Sequence, residues 1–174
     1  MTTDPVLPTP ATSDVVAAVE DLHVTFTRDG RRIHAVRGAS LEIGRGEIVG
    51  LVGESGSGKS VLGTALMGML PASAEVTGRA VTAETDMLTS PAAARRSVRR
   101  LDLGVVFQDP MTSLNPTMTI GRQVAEVAGS RDEAIRLLGA AGVPDPARRM
   151  SAYPFQLSGG LRQRVMIAMA IAGD

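Results

Sequence analysis

Cysteine is absent from the 174 residues. That excludes disulfides, thiol nucleophiles and Cys-ligated metal sites. Tryptophan is absent too, and aromatics make up only 2% of the chain. An excess of either charge is also missing: 18 basic residues balance 18 acidic ones. A dedicated nucleic-acid-binding domain carries a basic face or stacking aromatics, so nucleic acid is not the expected partner. Long hydrophobic runs are lacking. The longest apolar segments, 61–70 and 165–172, fall far short of the ~20 residues that cross a bilayer. Residues 1–12 are rich in Pro and Thr, with neither a basic n-region nor an apolar h-region, and do not read as a secretory signal. The chain is expected to be cytosolic, with any membrane association through a partner. With 44% hydrophobic residues, it has material for one real core.

The scarcest charge marks the most informative stretch. Lys59 is the single lysine beside seventeen arginines. It lies in Gly53-Glu54-Ser55-Gly56-Ser57-Gly58-Lys59-Ser60, which fits G-x-x-x-x-G-K-[ST], the phosphate-binding P-loop. Glycines let the backbone curl so that successive N–H groups point inward as an anion nest. Lys59 adds positive charge for the outer phosphates, and Ser60 offers a hydroxyl to Mg²⁺. A slim ammonium suits that nest where a planar guanidinium would not. The flanks agree. Ile48-Val49-Gly50-Leu51-Val52 is a continuous apolar run, as for a parallel strand buried on both faces. Val61 to Leu70 has helical spacing until Pro71 stops it. A phosphate would therefore meet a helix N-terminus, where the dipole favours anions.

Residues 1–13 read as a disordered tail. Val15–Phe26, Ile33–Val36 and Ala39–Ile43 read as strands of antiparallel character, with turns at Asp29-Gly30 and Gly44–Gly46. Val76–Val81 reads as a short strand. Ser90-Pro91 opens a helix through Arg99-Arg100. Leu103–Phe107 is a second apolar run, expected as a parallel core strand. Thr119 caps a helix over 120–128. Ser130 with Glu133 forms a capping box for a helix over 131–141, stopped by Gly142. The last helix spans 161–172, with its final turns apolar all round. His23 and His34 fall in strand-like segments and read as ordinary half-exposed strand histidines.

Two further spots carry chemistry. Gln108 ends the second apolar run, and α/β sheets place ligand contacts at strand carboxyl ends. It could touch Mg²⁺ or an attacking water; a glutamine that merely ends a strand is the plainer alternative. Ser158-Gly159-Gly160 opens the last helix. Ser158 is a natural N-cap, and two glycines leave backbone N–H groups uncovered for an anion. A plain cap with a glycine hinge is equally compatible with the local pattern.

Together these residues resemble the nucleotide-binding domains of ABC transporters. The P-loop matches Walker A. Gln108, in Val106-Phe107-Gln108-Asp109-Pro110, matches the Q-loop. Leu157-Ser158-Gly159-Gly160-Leu161 is similar to the LSGGQ signature, with Leu161 in place of the glutamine. Phe26 falls where the family has an adenine-stacking aromatic. The resemblance covers roughly 15–174, and residues 107–116 and 153–172 look like the ATPase subunits of di/oligopeptide and nickel importers. It implies an α/β P-loop fold of ABC type: a mixed sheet, an N-terminal antiparallel portion and an α-helical subdomain at about 111–157. It also implies ATP and Mg²⁺ as cofactors. Gly53 to Ser60 would bind phosphates, Ser60 and Gln108 would serve Mg²⁺, and Phe26 would stack on adenine. Ser158 to Gly160 would reach the γ-phosphate held by a second ATPase subunit. The implied partners are that subunit, transmembrane permease subunits and, indirectly, a solute-binding protein. The implied location is the inner face of the cell membrane.

The chain departs from the family pattern in lacking a Walker B aspartate, its neighbouring glutamate, a D-loop and a switch histidine. Phosphoryl transfer in P-loop enzymes uses that aspartate to hold Mg²⁺. The sequence therefore reads as the N-terminal portion of such a subunit, with C-terminal strands missing, weak or no hydrolysis by itself, and poor solubility. The alternatives are a nucleotide-binding module that works without hydrolysis and an ABC-like ATPase of DNA repair. Neutral charge and the compact Lys59-to-Ser158 spacing count against the second.

Overall fold

The computed structural model describes residues 14–108 and 113–172. The expected tail, residues 1–13, and the stretch 109–112 after Gln108 lie outside the described residues. Two compact units divide the chain, residues 1–98 and 99–174.

In the first unit, β1 (Val15–Arg28) and β2 (Arg31–Gly44) form a long hairpin about Asp29-Gly30. β3 (Glu75–Thr82) joins the other side of β1, and the two-residue β4 (Thr85–Asp86) joins β3. The sheet order is β2-β1-β3-β4, and every pairing is antiparallel. β2 is one strand where the sequence suggests two. The apparent break at Arg37-Gly38 is absorbed by a β-bulge in β1, where the register shifts between Val19 and Leu22. Asp21 takes a left-handed φ of 42° there, and its N–H donates to Ser40 Oγ at 2.9 Å. Such bulges turn one strand without ending its pairing.

Helix α1 (Lys59–Leu66) packs on the sheet. Leu62 and Ala65 join Val19, Leu22, Val24, Val36 and Ala80 in one buried cluster. The helix ends four residues earlier than its spacing suggests. Gly68 is left-handed at φ 61°, and the N–H groups of Gly68 and Met69 bond Ala65 O and Thr64 O at 2.9 and 3.0 Å. A glycine C-cap stops the helix before Pro71 is reached.

Neither apolar run forms a strand. Residues 47–54 and 103–107 carry no regular structure, and Ile48 and Val52 are 98% and 90% exposed. The described sheet is therefore antiparallel rather than mixed. The physical reason is pairing. A parallel strand buried on both faces needs a strand on each side and a layer on each face, and β2 ends at Gly44 without extending to these residues.

Helix α2 (Ala92–Leu101) leads into the second unit, whose core is helical. α3 (Ile120–Ala128), α4 (Arg131–Ala140) and α6 (Gly159–Ala170) bring together Ile120, Val124, Leu137, Leu138, Val165 and Met166. The short α5 (Pro146–Arg149) and a one-turn 3-10 helix (Pro154–Gln156) connect them. The expected caps form: Thr119 Oγ1 accepts from Arg122 N–H at 3.4 Å, and Ser130 Oγ from Glu133 N–H at 3.1 Å. No helix among the described residues is long and apolar enough to cross a membrane.

Candidate phosphate-binding site

The loop Gly53–Ser60 joins the exposed run 48–52 to α1, and its shape depends on close approach to β2. A Cβ added at Gly58 would lie 2.4 Å from Ala35 O, and Gly58 has φ 92°. Only glycine reaches this conformation without strain and leaves room for the strand. The loop is thus seated on Ala35 and Val36. Gly58 is also the N-cap of α1 and supplies no side-chain cap. The first N–H groups of α1 consequently have no side-chain acceptor, the condition for an anion at a helix N-terminus.

Lys59 lies over the loop. Its Nζ donates to Gly53 O at 2.7 Å, Glu54 O at 2.6 Å and, more weakly, Ser57 Oγ at 3.4 Å. These bonds hold the ammonium beside the loop carbonyls. Ser57 N–H closes the turn onto Glu54 O at 3.3 Å. Ser60 is exposed on the first turn of α1. A cavity of about 490 Å³ opens beside the loop, lined by Gly53, Gly56, Ser57, Gly58 and Lys59 and, from β2, by His34 to Arg37. That volume suits a small ligand. A glycine-walled nest, a lone ammonium and an uncapped helix start fit the expected triphosphate of ATP. With it would come Mg²⁺, for which the Ser60 hydroxyl is a suitable ligand.

The other expected residues are distributed as follows. Phe26 is half-buried against the first unit's core and pairs with Ile33; it is not among the cavity walls. Gln108 is exposed at a bend in the second unit. Ser158 caps α6, with Oγ accepting from Leu161 N–H at 3.4 Å. Gly159 and Gly160 are exposed, and a Cβ at either would meet nothing within 4 Å. The fold of this chain does not itself require glycine there. Glycine in a helix costs about 1 kcal/mol relative to alanine, so these two positions weaken the start of α6 without serving its packing.

Two features escape a sequence reading. Gln123 is only 6% exposed. Its Oε1 accepts from Asn115 N–H at 2.8 Å, and its Nε2 donates to Asn115 O and Met118 O, each at 3.0 Å. It thereby fixes the loop 115–118, and no local sequence signal marks it. Ahead of Ser158, the Tyr153 and Phe155 rings stack at 5.7 Å, and Tyr153 N–H donates to Gln156 Oε1 at 2.8 Å.

Loop, lysine and helix start place the chain in the class of P-loop proteins. Residues 36–174 match the family described as ABC transporter, and the chain belongs to that family. It is 44% identical over 167 residues to the dipeptide transport ATP-binding protein DppD of Bacillus subtilis, covering 90% of this chain and 50% of that one. It is 41% identical over 168 residues to the oligopeptide transport ATP-binding protein OppD of Escherichia coli, covering 91% and 50%. Peptidoglycan transport ATP-binding protein YejF of Agrobacterium fabrum is 45% identical over 166 residues, covering 89% and 30%. The chain thus spans half or less of the length of these relatives. Among solved structures it resembles the ATP-binding cassette MJ0796 in a dimeric post-hydrolysis state bound to ADP and Pi. There the TM-score is 0.78 at 27% identity, covering 90% of this chain and 69% of that one. A bacterial Atm1-family ABC exporter with ATP bound gives 0.73 at 25% identity, covering 99% and 30%. The ABC-type fold expected from the motifs is therefore the one found, although the two parallel-strand runs are not paired.

Proposed function

We propose that this chain is the nucleotide-binding part of an ATPase subunit that powers import of peptides through an ABC transporter. The observation that carries this reading is the seat of the P-loop: Gly58 pressed on Ala35, Lys59 over the loop mouth, and α1 starting without a side-chain cap. Gly53 to Ser60 hold the phosphates through backbone N–H groups, and Lys59 neutralises the outer ones. Ser60 and Gln108 contribute oxygens to Mg²⁺, while Phe26 stacks on the base. Bound ATP supplies the free energy of closure and a phosphoryl group that hydrolysis removes. Ser158, Gly159 and Gly160 present a second helix N-terminus to nucleotide held by a partner ATPase subunit, so that two such domains close head to tail. The open space over the two glycines supports this role. Permease subunits would hold the assembly on the inner face of the membrane, with a solute-binding protein acting upstream. The transport names of DppD and OppD support peptide as the cargo class, and nickel is the other cargo the motif resemblance suggests.

Titration with Mg·ATP tests this. Charge-assisted hydrogen bonds contribute roughly 1.5–3 kcal/mol, so Lys59→Ala should weaken binding at least about tenfold. Unchanged affinity would remove Lys59 from the site. Failure of the wild-type chain to bind Mg·ATP at millimolar concentration would overturn the reading.

A further inference from the structure

The first unit holds a second cavity, which shares no residue with the one at the P-loop. Its volume is about 300 Å³, and Leu70, Val76, Leu88 and Arg95 are among its walls. The three aliphatic side chains pack against the buried cluster on the sheet. Arg95, on α2, is the only charged residue in the described wall.

The protein itself leaves this guanidinium largely unpaired. Nε is buried and has no hydrogen-bond partner. Nη1 reaches Met87 O only at 3.5 Å, beyond the usual range for such a bond. Among the described residues no carboxylate pairs with Arg95. Asp86, the nearest acid in sequence, is engaged by the Leu88 and Thr89 N–H groups and by the charge of Arg79. A cationic donor partly withdrawn from water without an acceptor is costly. A carboxylate on the outer edge, at Nη1 and Nη2, offsets that cost, because the planar fork matches two oxygens. The aliphatic walls then choose among anions. A bare inorganic anion gains nothing from Leu70, Val76 and Leu88, whereas an apolar tail leaves water there. The volume lies at the lower end for ligand cavities, so it suits a small acid better than a peptide segment.

We propose that this cavity binds a short-chain aliphatic carboxylate, Arg95 gripping the carboxylate while Leu70, Val76 and Leu88 cover the tail. The site is separate from the P-loop and does not depend on the phosphate-binding reading.

The test titrates the full chain with hexanoate, hexanamide and acetate, following backbone amide signals by NMR. Hexanoate should give saturable shifts at Gly68, Leu88 and Thr89. Hexanamide has the same tail without the charge and should bind at least about tenfold more weakly. Acetate, which lacks the tail, should also bind more weakly. Arg95→Met should weaken hexanoate at least about tenfold, and Arg95→Lys, which keeps charge without the fork, should lose less. Should Arg95→Met fail to fold, the hexanamide comparison on wild type decides the same point. Ala74→Leu adds bulk to the wall and should block hexanoate while Mg·ATP affinity stays unchanged. No saturable shift with hexanoate, or equal binding of hexanamide or acetate, would overturn the assignment. Lys59→Ala should leave hexanoate binding intact; if it abolishes it, the acid sits in the phosphate nest and the Arg95 site falls. If hexanoate binds as expected and Mg·ATP does not, the phosphate reading falls and the Arg95 site stands.

Discussion

Gly58 shows how much one residue can carry. It combines a left-handed φ, a 2.4 Å approach to Ala35 O and the start of α1. Gly58→Ala should cost about 1–3 kcal/mol, the range for a strained backbone position. It should also lower Mg·ATP affinity, because the loop would have to lift from β2. Urea denaturation and ligand titration on the same preparation would check both. A variant with wild-type stability would contradict the close approach. Asp86 is a second case, governed by charge. Burial works against its ionised form. Bonds from the Leu88 and Thr89 N–H groups at 2.9 and 3.2 Å, a side-chain bond to Thr89 and the charge of Arg79 together outweigh it. Its carboxyl is held below its ordinary value of 3.8. A depressed pKa in the folded state means that the ionised form favours the fold. The contribution is full above pH ~4 and is lost as pH falls through the lower folded value. Acid unfolding should therefore be less steep in Asp86→Asn than in wild type, and identical profiles would remove Asp86 from the acid response.

At the scale of elements, the caps were legible because capping is local. Thr119, Ser130 and Ser158 each sit three residues before the N–H they accept from, and no distant contact is needed to set that geometry. The end of α1 was less legible, because apolar spacing continues past the glycine that stops it. Gln123 could not be placed beforehand, since its partners Asn115 and Met118 come from a loop that only folding brings near. α6 offers a separation of stability from function. Gly159→Ala adds a Cβ into open space and should stabilise the helix by up to ~1 kcal/mol. Under the proposed head-to-tail closure, the same methyl should impair ATP-dependent dimerisation. Thermal melts and sedimentation with Mg·ATP would check the pair of effects. A variant that melts higher and still dimerises would argue against the signature role of these glycines.

At the scale of the whole molecule, the run Ile48–Val52 is a contiguous exposed apolar stretch. Clustered exposed apolar side chains promote association. Replacing Ile48 and Val52 together with lysine should change stability by no more than ~0.5 kcal/mol, as for surface positions, and should reduce self-association in sedimentation. Leu22→Ala, in the first unit's core, should cost ~2–5 kcal/mol. If the double lysine variant unfolds instead, the run is buried in solution and the sequence expectation of a core strand was right.

The sequence by itself determined the chemistry of the loop, the helix starts and the family. Each of these depends on residue types at short, fixed separations: glycine and lysine in the nest, a hydroxyl three residues before a helix N–H. Only the tertiary structure decided which apolar runs became strands and which side chains share a wall with the nest. Strand pairing and cavity lining depend on partners far away in sequence. An apolar run states what it needs to be buried, but hydrogen-bonded neighbours decide whether that need is met.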